Sequence, residues 1–166
     1  MNRGDLILVD TCVIIEAHRT NSWKALSKGF LLETVETCIV EAQTGRAARI
    51  FPPITDGELR GAFNNVHNVS ALDRANHAAS CGGDLPDLDP GELDLWVHAL
   101  QRKDAWLLCG PDRASMRFGC DLGHNDKLVS LEQALDLLNL QRDLKKHYQK
   151  RWLTEITTEY ALKKIR

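Results

Sequence analysis

The sequence predicts an α/β fold, a mostly parallel sheet with helices on both faces. Three observations lead there. Short apolar runs rich in strand-favouring residues, LILV (6–9), FLLETV (30–35), AWLLCG (105–110) and KLVS (127–130), alternate with stretches of helical periodicity. Those stretches tend to open on a capping residue and to stop at glycine. The length, 166 residues, suits one globular unit that buries a core without disulfide staples.

The first run leads directly into Asp10, Thr11 and a second apolar run, so an acid stands where a buried strand ends. Side chains at the carboxyl ends of strands in open α/β sheets look into the ligand crevice, so Asp10 is placed to hold a metal or phosphate. Capping the next helix is the competing role for the same carboxylate. Asn21 or Ser22 can cap a short helix, WKALSK, closed by Gly29 in a left-handed conformation. After FLLETV, Thr37 can cap CIVEAQT, which stops at Gly45 and carries Glu41 one turn in, either near the strand ends or simply solvated.

Between Arg46 and Gly83 the pattern loosens. Phe51-Pro-Pro marks a bend, TDGELRGAF reads as a helix opened by Thr55 or Asp56, and Ser70 opens another with Asp73 in its first turn and Gly82-Gly83 at its end. This pair reads as a helical cover over one side of the sheet, and DLPDLD (84–89) as a turn. The best-marked helix follows: Asp89 at the N-cap, Pro90 first inside, Glu92 at capping-box spacing, and Leu93, Trp96, Val97 and Leu100 as its apolar stripe. Glu92 therefore has a structural role with which a functional one must compete. Asp94 points about 200° away from it round the helix. His98, four after Asp94, reads as a surface contact. Asp112 follows AWLLCG and is a second acid just beyond a strand, suited equally to a turn and cap. Ser130 and Gln133 form a capping box that opens a long helix along Leu131, Ala134, Leu135, Leu138 and Leu144. Beyond Tyr148 the pattern stays helical with a basic edge.

The five cysteines, Cys12, Cys38, Cys81, Cys109 and Cys120, form no C-x-x-C pair and read as reduced thiols, with a zinc site a distant second. No apolar run is long enough for a membrane span, and no signal-peptide layout opens the chain, which points to the cytosol. Charge is uneven. Residues 141–166 hold eight Lys/Arg against three acids, so a basic tail follows an acidic body.

In the predicted arrangement Asp10, Glu41, Glu92 and Asp112 all fall at strand ends or in the first turns of the helices that follow. Carboxylates gathered at one sheet edge repel one another unless a cation sits among them, and oxygen-only ligands favour Mg²⁺ or Mn²⁺.

ILVDTCVII with Asp10, the helix with Glu41, PGELDLWVHAL with Glu92 and LLCGPDRASMR with Asp112, closing on KLVSLEQAL, together resemble the PIN domain nucleases, in order across most of residues 6–130. The resemblance implies a three-layer α/β/α sandwich over residues 1–140, with 141–166 as a basic helical extension. It also implies a site at Asp10, Glu41, Glu92 and Asp112 that holds Mg²⁺ or Mn²⁺ and hydrolyses phosphodiester bonds, usually in RNA. Asp94 is the reserve ligand. Many bacterial members are toxins neutralised by a small antitoxin, so an antitoxin or other protein partner, or a second copy, joins RNA among the expected partners. Gly110 departs from the pattern, since relatives commonly carry Thr or Ser there, and both the 46–83 segment and the tail exceed the minimal fold.

Thr11 is placed to hydrogen-bond Asp10 or a phosphate, or simply to open its helix. Arg113 and Arg117 could meet the scissile strand or form a solvated face. The tail, with Tyr148, Trp152 and Tyr160 among its cations, suits a nucleic-acid contact or packing on the body or a second subunit. The competing function is a catalytically inactive PIN-like module that binds RNA or protein. A phosphotransfer fold ranks below both, because no second acid stands at Cys12 or Val13 and no paired acids follow the first strand.

Overall fold

The structure is a computed structural model that describes residues 1–44, 55–80 and 87–164. Five strands, β1 (Leu6–Val9), β2 (Leu31–Val35), β3 (Asn65–His67), β4 (Leu107–Cys109) and β5 (Leu128–Val129), form one sheet in the order β3-β2-β1-β4-β5, every pair parallel. Alternation along the strands builds two cores. Ile7, Val9 and Leu32 face α1 (Thr11–Arg19), α2 (Trp23–Gly29) and α8 (Leu131–Leu137). Leu8, Val35 and Leu108 face α6 (Pro90–Gln101), α7 (Arg113–Asp121) and α9 (Lys150–Lys164). Between the two, α3 (Glu36–Thr44) gives Ile39 to the first and Cys38 to the second.

Trp96 anchors the second core. It is fully buried, edge-on to Trp106 and Phe118, and its indole N–H donates to Ser115 Oγ at 2.9 Å. Helix α7 approaches this ring through Gly119, where a Cβ would lie 2.6 Å from the indole. Truncating such a tryptophan to alanine costs about 3–5 kcal/mol.

The expected capping boxes are formed at Asp89/Glu92 and Ser130/Gln133, and Thr55/Glu58 opens α4 (Asp56–Arg60) in the same way. Elsewhere the structure corrects the sequence reading. Segment 55–80 is more than a helical cover, because β3 lies between α4 and α5 (Ala71–Ser80) and pairs with β2. Asn64 sets that pairing: its N–H donates to Leu32 O at 2.8 Å and its side-chain oxygen accepts from Leu32 N–H at 3.0 Å. Gly29 stays helical and the left-handed residue is Asn21. Glycine is needed at 29 for space, since a Cβ would meet Leu138 at 2.4 Å.

The long helix expected from Ser130 stops at Leu137. Asn139 turns left-handed with φ 57°, and the chain runs on through a single 3-10 turn, Lys146–Tyr148, before α9. The buried side of α6 is Leu95, Trp96, Val97 and Ala99, with Leu93 and Leu100 half-buried, because sheet, α3, α5 and α7 enclose the helix on several sides. Cys38, Cys109 and Cys120 are buried and Cys12 is exposed, and none of the four is in a disulfide. The readings of Gly45, Phe51-Pro-Pro, Cys81, Gly82-Gly83 and the start of DLPDLD lie outside the described residues. Among the described residues no helix is long and apolar enough to cross a membrane.

Candidate functional site

Strand order reverses at β1, with β2 on one side and β4 on the other. The carboxyl ends of β1 and β4 therefore border the crevice where open α/β sheets take their ligands. Asp10 stands at that point. Its N–H donates to Cys109 O at 3.1 Å, extending the ladder by one residue, and its carboxylate caps α1 by accepting from Cys12 N–H at 3.0 Å. The two readings of Asp10 are compatible, since one oxygen caps while the side chain stays at the crevice. Gly110 brings the end of β4 alongside, close enough that a Cβ there would sit 3.6 Å from the Asp10 Cβ.

Glu41 reaches the same edge from α3. Its two oxygens accept from Thr11 Oγ1 at 2.8 Å and from Gly91 N–H at 3.1 Å, so it ties the starts of α1 and α6 together. The Thr11 hydroxyl thus serves Glu41, and it is the Thr11 N–H that faces Asp10. Glu92 completes its capping box by accepting from Asp89 N–H at 3.3 Å, yet it is only 8% exposed. Asp112 is exposed and caps α7, accepting from Ala114 N–H at 2.6 Å and Ser115 N–H at 3.0 Å.

Electrostatics link the four. Desolvation raises the Asp10 carboxyl to about 6 against the lowering effect of the Cys12 and Thr11 N–H groups, and the Glu41 charge pushes the same way as burial. Desolvation, then the charges of Asp10 and Asp112, raise Glu92 to about 8. Although Cys12 reaches the surface, partial desolvation of its thiol and then the charges of Asp10, Glu92 and Glu41 push it up to about 12, so it is no nucleophile at neutral pH. Among the described residues none of the four acids has an ion-pair partner.

Other sequence candidates fall away from this edge. Asp94, the reserve ligand, is buried and committed to Arg74 of α5, at 2.5 and 2.7 Å, and to the Thr37 hydroxyl. Arg113 and Arg117 turn to Glu159 of α9 rather than toward the crevice. Trp152 and Ile156 of α9 are buried in the second core, which takes the packing role for that part of the tail.

Sequence reasoning passed over Glu33, an acid inside an apolar strand. Its carboxylate meets His67 Nε2 at 2.8 Å, Asn65 and Arg102, and His67 stacks on His98 with ring centres 3.9 Å apart. Among the described residues this is the one group with three ligand atoms within 4.8 Å of one another; no three of the four crevice acids come so close. Arg102 already supplies the cation here, contacting Glu33 Oε2 and lying 3.0 Å from His98 Nε2, so the cluster is an ion-pair network joining α6 to the sheet. An acid amid strand-forming apolar residues was the signal that could have revealed it.

No family model matches the chain, and no curated protein matches it.

Proposed function

We propose that this chain is a metal-dependent nuclease with a PIN-like α/β/α architecture, acting as an endoribonuclease. One observation carries the reading: four carboxylates, from the ends of β1 and β4, the middle of α3 and the start of α6, influence one another electrostatically, and among the described residues none of them is in an ion pair. Such an arrangement is costly unless a cation resides there, and an all-oxygen donor set suits Mg²⁺ or Mn²⁺. Asp10, Glu92 and Asp112, with Glu41, would hold it.

When bound, the ion supplies Lewis acidity toward water and a phosphodiester. The protein's own contribution is preorganisation. Asp10 is fixed by the Cys12 N–H, Asp112 by two N–H groups of α7, and Glu41 by Thr11 and Gly91, so the acids are held by backbone that packing has already set. Glu92 is fixed by its own capping box.

Incubation of the purified chain with single-stranded RNA and Mn²⁺ or Mg²⁺ tests this. Cleavage that disappears in chelator and in Asp10→Asn supports the proposal. Cleavage undiminished in Asp10→Asn removes Asp10 from it, and tight RNA binding with no metal-dependent hydrolysis favours the inactive binding module.

A further inference from the structure

An acidic crevice repels the polyanion it would cleave, so the protein needs uncommitted positive charge close by. Most arginines on the body are spoken for. Arg60 pairs with Glu36 and Asp56, Arg74 with Asp94, Arg102 with Glu33 and Asp104, and Arg113 and Arg117 with Glu159. The segment between α8 and α9 differs. Lys145, Lys146 and His147 are exposed, and none of them is in an ion pair among the described residues.

This segment runs along α1 from its last turn, at Arg19 and Glu16, back to its first, at Cys12. The Lys145 N–H donates to buried Glu16 at 2.9 Å, Arg19 donates to Asp143 O at 2.6 Å, and Leu144 is buried in the first core. The Tyr148 hydroxyl donates to Cys12 O at 3.1 Å, two residues from Asp10. The backbone is thus pinned along α1 and reaches the crevice at Tyr148, while the lysine side chains leading up to it are exposed.

We propose that Lys145 and Lys146 form the track by which a single-stranded RNA backbone enters the Asp10 crevice, with the adjacent rings of His147 and Tyr148 as stacking faces. This rests on the nuclease reading. Exposed His147, whose ring leans on Trp152 at 5.5 Å, and half-buried Tyr148 favour a single strand, whose bases have free faces, over a duplex, whose bases have none.

The test is the Kd for a fluorescent single-stranded RNA 12-mer in EDTA at several salt concentrations, using the full chain. Lys145→Ala/Lys146→Ala is compared with Lys24→Ala/Lys28→Ala, which removes the same charge from exposed positions on α2. The track predicts about tenfold weaker binding for the first pair, with a salt slope shallower by about 1.4, and less than about twofold change for the second. Equal weakening by both pairs, no weakening by the first, or no RNA binding by the unaltered chain overturns it. Cleavage is assayed in parallel with Mn²⁺. If cleavage is absent but the binding difference holds, the nuclease reading fails and the track stands; if cleavage is present but KM is unmoved in the Lys145/Lys146 variant, the track fails alone.

Discussion

Glu41 occupies the space that a side chain on Gly91 would need. A Cβ at 91 would lie 2.5 Å from Glu41 Oε2 and 3.1 Å from Cys38 Sγ, while the Gly91 N–H donates to the other Glu41 oxygen. The first turn of α6 and a crevice acid are therefore a single packed unit. Gly91→Ala should displace Glu41 while gaining helix propensity, so its stability cost should stay near about 1 kcal/mol, overpacking being offset by the helix gain. Cleavage should fall further, by about 10- to 100-fold, as when a metal site's supporting contacts are lost. Calorimetry and a cleavage assay on the same preparation check this; equal activity at a lowered melting temperature would mean that Glu41 has only a packing role.

The crevice acids should make the protein less stable as pH rises. Asp10 titrates near 6 when folded against an ordinary value of 3.8, and Glu92 near 8 against 4.5. For an acid raised on folding, the stability contribution is complete below the unfolded value and is lost as pH climbs through the folded one. The window for Glu92 is thus roughly pH 4.5 to 8. Glu92→Gln should be more stable than the unaltered chain at pH 8.5 by about 1–2 kcal/mol and should lose that advantage by pH 5. The histidines cancel in this comparison. Mn²⁺ should raise the melting temperature of the unaltered chain at pH 8 and that of the variant less. A variant gain that does not depend on pH would show that Glu92 carries no excess charge cost.

How much of this was legible in the sequence depended on range. Asp10 and Asp112 announce themselves as acids directly after apolar runs, and the Asp89/Glu92 and Ser130/Gln133 boxes close over three residues, within reach of local pattern. By contrast, β3 is three residues, Asn-Val-His, and owes its strand geometry to Asn64 and Leu32, about thirty positions apart. The Arg74 that claims Asp94, and the Glu159 that claims Arg113 and Arg117, are partners no spacing rule connects. The end of α8 depends on Asn139 in a left-handed turn within a leucine-rich stretch whose apolar spacing continues regardless.

Removing Arg102 should open the Glu33, His67 and His98 cluster to a metal. Burial, followed by the His67 and Arg102 charges, lowers His98 to about 4, so its imidazole is neutral at pH 7 and its Nε2 lone pair accepts from Arg102 at 3.0 Å until that residue is removed. Arg102→Ala should leave Glu33 buried without its strongest partner and cost about 2–4 kcal/mol. The same change should open a His₂Glu site, so Zn²⁺ should recover part of the lost melting temperature and Co²⁺ should give visible d–d absorption in the variant. Co²⁺ absorption of equal strength in the unaltered chain would show that Arg102 does not exclude the ion.

Glu16 should couple the connection between α8 and α9, a strap laid along α1, to stability with the opposite pH sign. It is 1% exposed and accepts from Arg19 Nε and Nη2, both at 2.7 Å, and from the Lys145 N–H. Desolvation pushes its carboxyl up, but the Arg19 and Lys145 hydrogen bonds outweigh that and hold it below the ordinary range. An acid lowered on folding contributes fully above its unfolded value near 4.5 and loses the contribution as pH falls through the folded one. Glu16→Gln should therefore cost about 2 kcal/mol at pH 7, less than a fully buried pair because Arg19 is partly exposed, and little at pH 3. Amide exchange should speed up at Lys145 and Tyr148 before it does in β1, because the strap would be released while the sheet remains intact. Protection unchanged at those two amides would mean that Leu144 packing, and not the Glu16 carboxylate, holds the strap in place.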